Sequence, residues 1–384
     1  MVAISVSVAA VAGASWYYAY QKYKAAQNPN FCGVVHKVCT PEVPGKPFNV
    51  LVIGSDSRAG LSGTVAAQTG AGSVSGQRSD VVRIFHVNPQ AGTISVVAIP
   101  RDTMVTLLAN QGLYGSFNRI NVNYASGPAL LVRTIEADFG IPINHVVQVS
   151  FSGLIDAVNA LGGIYMYFPH PVLDHYSSLH VPHTGCQLID GAQALAVARS
   201  RHFEYFQNGY WQYDGTSDFG RIDRQDQFIR ALMLRAKNTY NPARLIDLIG
   251  AIPSGIQYDD TFGFNELVGL GLKFHGFNPA NLNAFTLPTY GAVNPSIGDV
   301  LYVDQPAAQQ LLVRVFGQVG TVGGLTEPTN PPPTQSLTTP LPPSVATPTV
   351  PRHATSTTVH VTTTTAPLHT EPWYTFNPTA CVPK

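Results

Sequence analysis

The sequence predicts an α/β protein. The expected architecture is a three-layer α/β/α sandwich with a central mixed sheet, plus an N-terminal membrane helix and a disordered Pro/Thr-rich C-terminal tail. Three observations predict it. Short apolar runs alternate with segments of helical periodicity, which calls for a sheet covered on both faces. Two of the runs are separated only by the turn "NPQAG", so at least one strand pair is antiparallel and the sheet is mixed. Both ends of the chain differ in composition from the body.

In chain order, Val2–Tyr20 carries no charge and is about long enough to span a bilayer. Trp16, Tyr17, Tyr18 and Tyr20 form an aromatic belt at its outer end. Lys22 and Lys24 follow it, against the positive-inside rule for an outward-facing body. The segment therefore reads as an anchor without a basic start, a weak anchor or an uncleaved signal, with a buried helix as the alternative. "FNVLVIG" from Phe48 is a buried strand ended by glycine. Val81–Val87 and Thr93–Ile99 are the strands around the turn, and Pro128–Phe139 has helical spacing. "HVVQVS" from His145 is a strand, "FSGLIDAVNALGG" an amphipathic helix stopped by glycines, and "IYMYF" another strand. Helices fit Gly191–Ser200, Arg221–Asn238, Pro242–Ile249, Asn265–Lys273 and Gln305–Phe316, with a strand near Leu282–Leu287. Residues 1–24 are thus the anchor, 25–46 a linker and 47–317 the folded domain. Residues 318–372 are low-complexity and 373–384 a short aromatic, cysteine-bearing end. The Pro/Thr/Ser stretch cannot bury enough apolar surface to fold, and resembles an extended, O-glycosylated stalk.

Four cysteines, an even number beside an anchor, suggest an oxidising exterior and two disulfides with three pairings. Cys32–Cys39 is the local pair, and Cys186–Cys381 would then pin the end of the tail to the body. No Cys/His spacing argues for zinc.

Lys+Arg and Asp+Glu are both 22, so no broad nucleic-acid surface is expected. From Pro47 to Ala236 every permanent cation is arginine, the residue that grips phosphate or carboxylate bidentately. These arginines cluster with aspartates. Asp56 and Arg58 follow the first strand, where open α/β sheets bind ligands. Arg78 and Asp80 lead into the second strand; Arg101 and Asp102 follow the third. "NRINVNYA" supplies Arg119, and "ARSRH" supplies Arg199 and Arg201 at a helix end. "SDFGRIDRQDQ" is the densest stretch: five of its eleven residues are charged, in a chain that is only 11% charged. On a helix beginning near Asp218, Arg221, Arg224 and Gln225 share one side of the first turns, where free N–H groups already favour anions. Carboxylates beside arginines suit a phosphate only if a cation joins them, and Mg2+ binds through one or two carboxylates plus phosphate oxygens. Asp56 and Asp80 are the candidate ligands. No Walker "GxxxxGK[ST]" and no G-x-S-x-G elbow are present, which disfavours NTPases and α/β-hydrolases.

The blocks "LVIGSDSRAG", "RSDVVRIFHVNPQAGTISVVAIPRDT", "NRINVNYASG", "VSFSGLIDAVNALGGI", "DGAQALAVARSRH" and "DFGRIDRQDQ" resemble the LytR-CpsA-Psr family of envelope proteins. They occur in the family's order over roughly Pro47 to Gly317. The resemblance implies an α/β/α sandwich on a membrane anchor, facing outward, with an apolar groove for a polyprenyl chain. It implies a phosphotransferase that moves a polyprenyl-pyrophosphate-linked glycopolymer onto peptidoglycan and releases polyprenyl phosphate. By motif, Asp56 and Asp80 would hold Mg2+, and Arg78, Arg101, Arg199, Arg201, Arg221 and Gln225 the pyrophosphate, with Arg58, Arg119 and Arg224 second in rank. Arg101, Arg221 and Asp102 are the expected catalytic residues. Asp102 or Asp80 would take the acceptor's proton, although a metal-held Asp80 is a poor base. Leu130, Leu131, Ile135, Leu154, Val158 and Leu161 fit groove or core equally. The competing functions are a non-catalytic polyprenyl-pyrophosphate binder and a pyrophosphatase. The composition and tail lean toward an actinobacterium, where arabinogalactan or a teichoic-type polymer is the cargo.

Overall fold

The computed structural model describes residues 2–32, 38–57, 61, 63–69, 79–109, 111–238, 255–317 and 381, with side chains from residue 14 onward except at 64, 67, 68, 113 and 114. The predicted tail and the helix expected at Pro242–Ile249 lie outside the described residues.

Six strands form the central sheet: β1 (Phe48–Ser55), β2 (Ser79–Asn88), β3 (Thr93–Ile99), β4 (His145–Val149), β7 (Ile256–Tyr258) and β8 (Asn283–Thr286). Their order is β7-β4-β1-β2-β3-β8. β1 pairs parallel with β4 and β3 with β8, while β1–β2, β2–β3 and β4–β7 are antiparallel. The sheet is mixed, as the "NPQAG" turn requires.

Each strand sends alternate residues to opposite faces. Leu51 and Ile53 of β1, Val82 and Ile84 of β2, and Val97 and Ile99 of β3 face one layer. There they meet α2 (Pro128–Phe139) through Leu131, Ile135 and Phe139, and α7 (Gln305–Phe316) through Ala308 and Leu312. Proline at the start of α2 and Gly140 at φ 65° after its end set that helix's length. On the other face lie α3 (Phe151–Ala160), α4 (Gly191–Arg199) and α5 (Ser217–Asn238), joined in a second core with β5 (Ile164–Phe168) and β6 (Gly185–Ile189). Ser150 and Asp190 cap α3 and α4 by accepting from the backbone N–H of Gly153 and Gln193.

Small antiparallel pairs escaped the pattern reading. They are β5–β6, of which only β5, the "IYMYF" strand, was expected, a four-stranded sheet built from residues between Val172 and Tyr213, and the hairpin of β9 (Thr289–Asn294) and β10 (Gly298–Val303). The strands of the four-stranded sheet are three or four residues long and carry too little periodicity to stand out.

The N-terminal helix α1 (Val2–Ala26) ends against the body. Tyr23 Oη donates to the Phe262 carbonyl at 2.7 Å, and Trp16 packs edge-on against Phe264 of α6 (Phe264–Phe274) at 4.9 Å. Among the described residues no helix is long and apolar enough to cross a membrane. Both expected disulfides, Cys32–Cys39 and Cys186–Cys381, are formed.

Candidate functional site

Between the sheet and the α3–α4–α5 layer lies a cavity of about 450 Å3. Its wall is the second face of strands whose first face is core. Val52 and Gly54 of β1, and Val81, Arg83 and Phe85 of β2, line it. The helices contribute Phe151 and Leu154, Leu195, and Phe228, Ile229 and Leu232. One end is therefore an apolar throat.

The other end is charged. Among the described residues, five arginines line the cavity (Arg83, Arg101, Arg199, Arg201 and Arg221) against one carboxylate, Asp80. The topology explains the convergence. The carboxyl ends of β1, β3 and β4 meet the amino ends of α3 and α5 there. Helix amino ends present free N–H groups and a positive dipole, so the rim favours anions twice over.

Asp80 owes its position to a bulge. β1 and β2 pair Gly54 with Val81 but Ser55 with Ser79, leaving Asp80 as the extra residue. A bulge re-aims a side chain, and Asp80 accepts from Arg101 Nη1 at 2.8 Å. Arg221 donates to the Asp80 carbonyl at 3.0 Å and pairs with Asp218 at 2.9 Å. Asp218 also lies 3.1 Å from Arg201 and 3.9 Å from Arg101. One half-buried aspartate thus gathers three guanidinium groups, a role the sequence reading gave it no credit for.

These arginines differ electrostatically. Burial lowers the pKa of Arg221, and Arg101 and Arg201 add to that, against Asp218 and Asp80. Burial also acts against Arg101, but Asp80, Asp102 and Asp218 outweigh it and its pKa is raised. The Nε of Arg221 is buried with no hydrogen-bond acceptor in the protein, while the Nε of Arg201 faces only Asp218 Oδ1, at 3.1 Å. A bound dianion would supply both the acceptors and the counter-charge.

Arg101, Arg199, Arg201, Arg221, Gln225 and Asp80 are brought together at this cavity. Gln225 also braces the wall, donating to the Ala198 carbonyl at 2.8 Å and accepting from Arg83 at 3.2 Å. Arg199 stacks on Phe151 at 5.1 Å. Asp102 stands beside the rim between Arg101 at 3.4 Å and Arg119 at 3.5 Å. Arg119 is turned toward the β9–β10 hairpin, donating to the carbonyls of Ile297 and Asp299. Arg224 does not line the cavity: it pairs with Asp214 at 2.8 Å and lies 4.4 Å over Phe203. Three residues along an α-helix is about 300° of rotation, which takes Arg224 round toward α4 and the loop before α5. Arg58 and Arg78 lie outside the described residues. Of the six apolar residues that fit groove or core, Leu154 lines the cavity, while Leu131, Ile135 and Val158 are fully buried core.

Arg83 is the largest residue the sequence reading passed over. It is 2% exposed, pairs with Asp226 and donates to the Ile222 carbonyl at 3.0 Å. An arginine in the middle of "VVRIF" was the available signal, since a central strand tolerates a charge only when a partner awaits it.

A magnesium ion would find hard oxygen donors here. Asp56 follows Ser55 directly, across the bulge from Asp80, and the buried Ser79 hydroxyl has no hydrogen-bond partner in the protein. Asp56 is near enough to Tyr124 to add to the burial that raises its phenol pKa. Asp56 does not line the cavity itself; with Asp80 and the Ser79 hydroxyl it would offer the oxygen donors that ion prefers.

A model of the LytR_cpsA_psr family matches residues 13–315. The chain is 29% identical over 271 residues to a Corynebacterium glutamicum protein named "Probable cell wall biosynthesis protein LcpB", covering 68% of this chain and 59% of that one. It is also 29% identical over 218 residues to the Bacillus subtilis polyisoprenyl-teichoic acid–peptidoglycan teichoic acid transferase TagU, covering 56% of this chain and 61% of that one. This chain thus spans about three fifths of the length of either relative. The LytR-Csp2A-Psr enzyme from Actinomyces oris shares the fold, with a TM-score of 0.56 at 23% identity, over 72% of this chain and 92% of that one.

Proposed function

The chain belongs to the LytR_cpsA_psr family, and from that membership and the two-part cavity we propose that it is a phosphotransferase. It takes a glycopolymer from a polyprenyl-pyrophosphate carrier, joins it to peptidoglycan and releases polyprenyl phosphate. The single observation that carries the reading is the union of an apolar throat and an arginine rim in one cavity. A prenyl chain needs the first and a diphosphate the second.

The prenyl chain lies along Phe151, Leu154, Phe228, Ile229 and Leu232. Arg101, Arg199, Arg201 and Arg221 hold the diphosphate, their geometry fixed by Asp218 and Gln225. A sugar hydroxyl of peptidoglycan attacks the glycan-side phosphorus. The new P–O bond forms as the bridging P–O bond breaks, and the arginines neutralise the charge that collects on the departing polyprenyl phosphate. The acceptor proton passes to a carboxylate at the rim. Asp102, outside the cavity wall and clear of the proposed metal ligands, is better disposed for this than Asp80. Bound at Asp56 and Asp80, Mg2+ would supply further charge neutralisation to the phosphates. The energy comes from the pyrophosphate, in keeping with a chain that lacks a nucleotide motif. The body works outside the cell; the two disulfides support that placement.

The test supplies purified protein with polyprenyl-pyrophosphate-linked glycan, Mg2+ and peptidoglycan oligomers. Glycan covalently joined to the oligomer is the expected product. Intact bound lipid would identify a binder, and phosphate release alone a pyrophosphatase; either outcome would sink the transfer reading.

A further inference from the structure

At the opposite end of the sheet, where β1 and β4 begin, lies a second cavity of about 770 Å3. Three side chains from separate segments meet in it: Glu42 of the linker, His145 at the start of β4 and Glu266 in the first turn of α6. One ligand atom from each lies within 4.8 Å of the other two. His145 Nε2 is 2.9 Å from Glu42 Oε2.

The imidazole is held from behind. Its Nδ1 faces Asp259 Oδ1 at 3.4 Å. Asp259 is fully buried and anchored by the backbone N–H groups of Val146, Thr261 and Phe262. Phe262 stacks on the ring at 4.1 Å. A buried carboxylate on Nδ1 is the arrangement found behind metal-ligating histidines, and it leaves Nε2 to serve as ligand once an ion displaces the proton shared with Glu42. Glu266 is held likewise: its Oε2 accepts from the Gly263 N–H at 3.2 Å.

We propose that Glu42, His145 and Glu266 bind a zinc-class divalent cation, with Asp259 orienting the histidine. The nitrogen donor favours such an ion over magnesium, which prefers all-oxygen shells. A tetrahedral shell with bonds near 2.0–2.1 Å places ligand atoms about 3.3 Å apart, so His145 and Glu42 need only open slightly to admit the ion, within a cluster no wider than 4.8 Å. This site is separate from the arginine rim. His145 and Val149 stand at opposite ends of β4, roughly 13 Å apart at strand spacing. The ion ties the linker to the sheet and to α6, the helix whose Phe264 meets Trp16 of α1. It therefore braces the junction between the N-terminal helix and the body.

The experiment titrates the tag-free, EDTA-treated protein, disulfides intact, with Zn2+ alone, by calorimetry and thermal melting. Expected are one bound equivalent, a raised Tm and, with Co2+, a tetrahedral absorption spectrum without thiolate bands. His145→Ala strands the buried Asp259 and so confounds folding with binding; Glu42→Gln and Glu266→Gln therefore serve as variants. Each should lose at least about tenfold in zinc affinity while melting normally without metal, and Asp80→Asn should bind zinc as the parent does. No binding at about 100 µM Zn2+, full affinity in the Glu42→Gln/Glu266→Gln double variant, or loss of binding in Asp80→Asn would each overturn the assignment.

Discussion

Arg221 and Arg224 sit three positions apart on α5 and are nearly equally buried, at 3% and 4% exposure. Their partners separate them. Arg221 lines the cavity with an Nε that has no acceptor in the protein. Arg221→Ala should cut transfer about 10²–10³-fold, the usual loss for one donor aimed at developing charge. Circular dichroism should show the fold intact; wild-type rates would remove Arg221 from the site. Arg224 instead neutralises Asp214, which is 4% exposed on its side chain. Arg224→Ala strands that carboxylate, and breaking a buried pair costs about 3–5 kcal/mol. Denaturant melts should show this loss, while the fraction that remains folded binds lipid pyrophosphate normally. The sequence placed both arginines on one helix side because it counts turns and cannot see which acceptor each one reaches. Asp218 was hidden for a related reason: an aspartate at a helix start has a sufficient explanation in the dipole.

At the scale of elements, α4 lies against α3 through a glycine. A Cβ on Gly191 would stand 2.4 Å from the Ile155 carbonyl oxygen, and backbone has no rotamer with which to yield. Gly191→Ala should therefore destabilise the protein by about 1–3 kcal/mol, the cost of overpacking, seen as a lower Tm. Because α4 also carries Arg199, lipid affinity should fall with it. The main elements were legible because they are long. "FNVLVIG", Pro128–Phe139 and Gln305–Phe316 carry enough period to fix type and extent. The cavity was not, because β1 is apolar on both faces. A run such as Phe48–Gly54 looks the same whether its second face meets a packed helix or an open throat. Hence Val52 was unremarked, while five helical residues that fit the groove equally well proved not to line the cavity.

For the molecule as a whole, the second disulfide joins Cys186 of β6 to Cys381, almost the last residue. Trypsin cleavage after Arg352 should leave residues 353–384 attached until a reductant is added. In Cys381→Ser the fragment should come off without one; identical release from both proteins would show that the bond is not formed in solution. Here the sequence served well, since local pairing of Cys32 with Cys39 leaves a single partner for each remaining thiol. The paired use of the central strands has a further bearing on descent. Leu51, Ile53, Val82 and Ile84 hold the frame, and their immediate neighbours in sequence paper the chamber. Lineages adapting to longer, shorter or differently branched carriers are thus barred from remodelling the floor without loosening the house. Their divergence should be written on the roof, in the inward faces of α3, α4 and α5.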